Sequence, residues 1–240
     1  TNAISIGISN TATNTSAIAI GQSNIARGSQ SYASGYLNTA GSFASTASGY
    51  RNTASGSQST ASGYLNTASG IDSSAFGDTN TVSGTGSSGF GFSNSVTNDN
   101  ATAVGYDNST SGFKASSFGF QNLASNSRSS AFGYSNTASG YGSSASGYLN
   151  TASGGYSSAF GYSNTSSGYL STASGYNNDA TATTTSAFGS FNIASATSSS
   201  AFGRKNIASG VFSQVFGASS TASGVGSIAI GNFIVNSIAS

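Results

Sequence analysis

The side chains that ordinarily carry out chemistry are nearly missing from this chain. Its 240 residues include no His, no Cys and no Glu, with six Lys or Arg and five acids. General acid–base and nucleophilic catalysis draw mainly on His, Cys, carboxylates and a tuned Lys. Lys114 and Lys205 lie in polar sequence and read as solvated cations. The acids are Asp72, Asp78, Asp99, Asp107 and Asp179. Asp99 and Asp107 are eight residues apart and read as separate turn acids, and the G-G-x-G-x-D run of calcium-binding β-rolls is absent. Zinc would lack its usual ligands. A net charge of +1 gives no electrostatic reason to expect nucleic acid or an anionic membrane as partner. These residues predict a chain that is not an enzyme and uses no cofactor or metal.

With so little chemistry on offer, the elements themselves become the subject. Only 5% of residues are charged, against about 25% in an ordinary domain. Pro, Met and Trp are missing as well. The absence of Cys leaves the redox compartment open. No signal peptide, initiator Met or bilayer-length apolar run is present, so the sequence reads as a mature segment or a piece of something longer. Low complexity raises the question of disorder, but disordered tracts are usually rich in Pro or charge. This one has neither, and it repeats in strict register.

Multiples of seven hold 27 of the 33 glycines. The exceptions are Gly41, Gly86, Gly89, Gly142, Gly155 and Gly226. Three of the lattice points without Gly are Asn14, Asn98 and Asn126, and Asn tolerates φ > 0. The expectation is therefore a left-handed backbone at every lattice point. Ser42 is offset by its neighbour Gly41, while Ala182, Ala196 and Ile238 fit no such rule.

Odd and even heptads differ, so the true period is fourteen. Even heptads carry Asn10, Asn24, Asn38, Asn52, Asn66, Asn80, Asn94, Asn108, Asn122, Asn136, Asn150, Asn164, Asn178, Asn192 and Asn206. Both kinds place Ala two residues before the lattice point, as at Ala19, Ala26 and Ala33. Odd heptads often place a large apolar residue just before it: Ile6, Ile20, Phe76, Phe90, Val104, Phe118, Phe132, Phe160, Phe188, Phe202, Phe216 and Ile230.

Each heptad reads as a short strand and a tight turn, so fourteen residues make one coil of a parallel β-solenoid with two short strands per coil. Residues 1–240 then form a single repeat domain of about 17 coils, without caps or a stalk. At ~4.8 Å per coil this would be a rod roughly 80 Å long. Stacking places the asparagines in a structural ladder, amide over amide. The Ala/Asn/Ser side suits a narrow interior, which leaves the Phe/Ile ladder outside and in need of a partner.

These heptads resemble the YadA-like head of trimeric autotransporter adhesins, whose pattern is roughly x-x-S-x-A-x-G. It appears here as Ser16-Ala17-Ile18-Ala19-Ile20-Gly21 and Ser227-Ile228-Ala229-Ile230-Gly231, drifting to Ser74-Ala75-Phe76-Gly77 in the middle. The resemblance covers the whole chain. It implies a left-handed β-roll, a homotrimer with the apolar ladder at the interface, and a place on the bacterial outer membrane. Ser34, Ser48, Ser62, Ser146 and Ser174 would make parts of that interface polar.

Two outer rows remain. Tyr36, Tyr50, Tyr64, Phe92, Tyr106, Phe120, Tyr134, Tyr148, Tyr162 and Tyr176 follow the odd lattice points and could stiffen an edge or bind a sugar or apolar surface. Thr39, Thr53, Thr67, Thr81, Thr137, Thr151 and Thr165 form a hydroxyl face interrupted by Leu123 and Asp179. The expected function is multivalent attachment to a surface, a matrix protein, a glycan or other cells. An ice-binding solenoid using the Thr face and a filament assembling end to end are the alternatives.

Overall fold

The computed structural model describes residues 2–239, and among them there is no helix. The protein is an all-β parallel solenoid of about 17 coils of 14 residues. Each coil contains one long and one short strand. The first are β1 (Ile4–Ile8) and β2 (Thr11–Ala12), and the last are β33 (Ile228–Asn232) and β34 (Val235–Asn236). The coils fall into two compact units, one ending at Gln121 and the other beginning at Asn122. Within each unit the long strands build one parallel sheet and the short strands another. The strand residues of each unit pair with those fourteen further on. In the first unit Tyr36 lies beside Tyr50 and Thr39 beside Thr53. In the second, Tyr148 lies beside Tyr162 and Ala138 beside Ala152.

Turns obey the same rule as strands. The Leu37 N–H donates to Gln22 O at 3.0 Å, and the Thr39 N–H to Asn52 O at 2.8 Å. Most backbone groups therefore find partners one coil away, with one turn bond inside the coil such as Ser31 N–H to Gly28 O, which answers the need to satisfy buried peptides.

The interior is narrow and lined by small residues. Ala33, Ala40, Ala47 and Ala54 are fully buried, as are the asparagines from Asn24 onward and serines such as Ser31 and Ser45. The Phe/Ile ladder faces outward, half-buried or exposed. At two places a larger core side chain is matched by a change in the residue facing it. Val82 and Val96 replace Ala, and Gly89 lies opposite; a Cβ on Gly89 would sit 2.8 Å from Val82 Cγ2. Thr110 and Ser117, also across the gap, share a short hydroxyl hydrogen bond. Gly89, off the heptad lattice, is thus a volume adjustment.

The glycine lattice proves to be two lattices. Odd points such as Gly35 and Gly49 have φ of 109° and 113°, and they lie inside the long strands rather than in turns. A Cβ on Gly49 would come within 2.2 Å of Gly63 O. Glycine is required there twice over, by backbone angle and by close approach. Even points do not have positive φ, which corrects the expectation of a left-handed backbone at every lattice point. Glycine serves them by its missing side chain, since a Cβ on Gly56 would meet Gly70 O at 2.0 Å.

Five of the seven even-point exceptions make one of two compensating hydrogen bonds, while Ala182 and Ile238 make neither. Asn14, Asn98 and Asn126 each send the side-chain amide to a carbonyl thirteen residues on, at Arg27, Ser111 and Ser139. Ser42, Asn126 and Ala196 redirect their own N–H to a Ser Oγ three residues later, at 3.1, 3.3 and 3.2 Å. Glycines such as Gly56 and Gly154 instead point it at the next coil, at 3.4 Å.

The left-handed residues occupy a different place, two positions after each lattice point. Ser23, Gln30, Leu37, Ala44 and Arg51 have φ between 50° and 61°. Three off-lattice glycines, Gly86, Gly142 and Gly226, stand at this position with φ of 63°, 62° and 67°. For residues such as Leu37 this conformation costs roughly 1–2 kcal/mol each, offset by the intercoil bond that each N–H makes.

The packing around Gly89 gives a direct check. Gly89→Ala should lower stability by about 1–3 kcal/mol through overpacking. Adding Val82→Ala should restore most of it, read as recovery of the urea midpoint. A neutral Gly89→Ala would show that the gap is not filled as described.

Candidate functional site

Chemically, the most organised feature is internal. Asn52 Nδ2 donates to Asn38 Oδ1 at 3.0 Å, to Ser48 O at 2.8 Å and to Gly63 O at 2.7 Å. Its Oδ1 accepts from the Asn66 N–H at 3.0 Å and Asn66 Nδ2 at 3.1 Å. One side chain thus joins three coils. The pattern runs through the first unit from Asn10 to Asn108 and through the second from Asn122 to Asn206. Serine takes the place once: Ser220 Oγ donates to Gly231 O at 2.9 Å and accepts from the Ile234 N–H at 3.0 Å.

Three features face outward. In the first, Phe76 stacks on Phe90 at 5.5 Å, and Phe188, Phe202 and Phe216 stack in turn at 5.2 Å. Ile6, Ile20, Val104, Phe118, Phe132, Phe160 and Ile230 occupy the same coil position. Where this row turns to serine, Ser34 and Ser48 join by their hydroxyls at 3.0 Å. In the second, Tyr36–Tyr50–Tyr64, Phe92–Tyr106–Phe120 and Tyr134–Tyr148–Tyr162–Tyr176 form stacks with centroids 4.8–5.2 Å apart and planes within 15° of parallel. Asp78 and Ser190 occupy that coil position between and after the stacks. The third is the hydroxyl face of the short strands, where Ile193 and Ile207 also interrupt the Thr row.

A smaller group escapes the ladder description. Tyr141, Tyr156 and Tyr169 lie on the turn edge of the second unit and meet edge to face, at 79° and 84°. Arg128 lies over Tyr141 at 5.8 Å and donates from Nη1 to its hydroxyl at 2.9 Å. Partial desolvation and the neighbouring Tyr141 phenol push the Tyr156 hydroxyl above the usual tyrosine range, while Arg128 pulls the other way. The available signal was the pair of off-lattice glycines beside these rings, Gly142 and Gly155.

Among the described residues there is no pocket and no cluster of three or more metal-ligating side chains. Lys114 lies over its neighbour Phe113, with Nζ 5.2 Å from the ring centroid.

Coil length, serine and alanine placement and the glycine of each odd heptad are the features that decide kinship. The YadA head domain repeat matches residues 1–24, 40–66, 68–88, 83–108, 138–164, 166–192 and 208–233. The chain belongs to the YadA head family. That membership indicates an adhesin-type role at the cell surface and, with the solenoid fold, points away from catalysis. No curated protein sequence matches the chain. In this YadA-type head the asparagine spine is buried, while the outer rows are half-buried or exposed.

Replacing one spine residue tests this division. Asn66→Ala removes the donor to Ser62 O and Gly77 O and the acceptor of the Asn80 amides. At about 1–3 kcal/mol per orphaned buried group, the loss should be at least roughly 3 kcal/mol. Asn66→Ser should cost clearly less, because Ser220 already fills this role. Equal losses in thermal unfolding would contradict the reading.

Proposed function

We propose that the chain forms the head of a homotrimeric adhesin at the bacterial outer membrane. It attaches to an extracellular surface, a matrix protein or a glycan through many equivalent weak contacts. The observation that carries this reading is the outward apolar ladder. Rows of Phe and Ile at one coil position are half-buried or exposed along both units, with Phe76, Phe90, Phe132, Phe160 and Phe216 at 37–40%. A contiguous apolar row of this kind is seldom left to water. A second copy offers the same row at the same spacing, and closed cyclic symmetry lets identical patches cover one another.

Once that row is covered, the tyrosine stacks and the hydroxyl face form the outer surface. Each offers the same group at each coil over several coils. Weak contacts repeated on a stiff support combine through effective concentration rather than through a single pocket. The serines at positions 34, 48 and 62 leave part of the interface polar, closed by bonds such as Ser34–Ser48.

Light scattering on the 240-residue chain should give the mass of three chains. Phe188→Ser, Phe202→Ser and Phe216→Ser together should shift the protein towards single chains. The β-sheet circular dichroism should persist, because serine occurs at the same position at Ser174. A single-chain mass for the unmodified protein would reject the trimer.

A further inference from the structure

We propose that Tyr141, Tyr156, Tyr169 and Arg128 form a discrete platform for an acidic saccharide, one bearing a uronic acid. This rests on the adhesive reading above and gives it a local site. In the tyrosine ladders each ring covers its neighbour's face at about the coil spacing, which suits repeated weak contacts more than the stacking of one pyranose. The edge cluster differs. Its rings cross at 79° and 84° instead of stacking in parallel, and Tyr156 and Tyr169 are 48% and 51% exposed.

Two glycines make that arrangement possible. A Cβ on Gly142 would lie 3.0 Å from Tyr156 Cδ1, and one on Gly155 would lie 3.1 Å from Tyr169 Cδ2. Each ring leans into the space that a side chain would fill on the coil before it. A tyrosine so braced offers an apolar body and a hydroxyl handle at little entropic cost. The C–H face of a pyranose fits such a ring, and its hydroxyls fit the phenols.

Charge then selects the kind of sugar. Arg128 uses Nη1 on the Tyr141 hydroxyl and retains further donors of its planar fork. The second unit carries Arg128, Arg204 and Lys205 against a single acid, Asp179, which lies in a short strand. A fixed guanidinium over one ring disfavours the quaternary ammonium guests that aromatic cages otherwise take. It favours a carboxylate, held by one or two N–H···O bonds.

The test is isothermal titration of the whole 240-residue chain at low salt. The probes are a tetrasaccharide of alternating glucuronate and N-acetylglucosamine and, as a neutral control, chitotetraose. The acidic sugar should bind and the neutral one bind more weakly. Tyr156→Ala and Tyr169→Ala should each weaken binding about tenfold. Arg128→Gln should abolish the preference for the acidic sugar, and Phe43→Ala, at an exposed turn ring of the first unit, should change nothing. The proposal is overturned by no binding at millimolar sugar, by equal affinity for the neutral control, or by full binding in a Tyr156→Ala/Tyr169→Ala chain. The same holds if Phe43→Ala weakens binding as much as the edge variants. A three-chain mass with no sugar binding would leave the adhesive head standing and remove only this site.

Discussion

Coil after coil from Asn10 to Asn206, an asparagine amide reaches the carbonyl of a glycine in the next coil, and the remaining geometry is arranged around that contact. Asn38 to Gly49, Asn52 to Gly63 and Asn150 to Gly161 repeat it at 2.7 Å. The glycine supplies a carbonyl at an angle and distance that no side-chain-bearing residue allows. The asparagine supplies the donor and hands its own oxygen to the following coil. Neither partner can slip by a residue without stranding several buried polar groups, each costing about 1–3 kcal/mol. Register, coil length and the placement of the small core residues follow from that penalty. Hydrophobic burial contributes less than usual, since the core is chiefly alanine.

A fold held by a polar spine frees its outer positions. Large apolar side chains are not needed inside and do not fit there, so they appear outside in rows. The spine imposes the coil spacing on those rows, which is why tyrosines and phenylalanines stack nearly in parallel. Repetition of the scaffold thus becomes repetition of the surface. On the adhesive reading proposed above, this links sequence to function: the face is set by side chains at a few coil positions while the spine stays the same. The Tyr141–Tyr156–Tyr169 edge shows the complementary case, where two glycines break the row and turn rings out of the stack.

Much of this was legible in the sequence because the repeat never shifts phase. The period, the two-strand coil, the inward side holding Asn and Ala and the outward Phe row follow from alternation and residue size. The backbone was less legible. Gly35 and Asn14 look equivalent on a heptad lattice, yet the first sits in a strand at positive φ and the second does not. Residues such as Leu37 and Phe191 carry the left-handed angle instead, and their composition gives no hint of it. A trace existed, since Gly86, Gly142 and Gly226 share one coil position. Gly89 was likewise unreadable without knowing that Val82 lies across from it. Distances across the gap, unlike distances along the chain, have no fixed period.

The most direct measurement is side-chain amide exchange on protein labelled with nitrogen-15 at asparagine. Buried spine residues such as Asn52, Asn66, Asn150 and Asn164 should exchange their Nδ2 protons only on opening of the solenoid. The exposed Asn100 and Asn177 provide fast controls within the same molecule. Protection of the spine amides close to that of the strand backbone would support an asparagine–glycine lattice that sets the register. Spine amides exchanging as fast as Asn100 and Asn177 would contradict it.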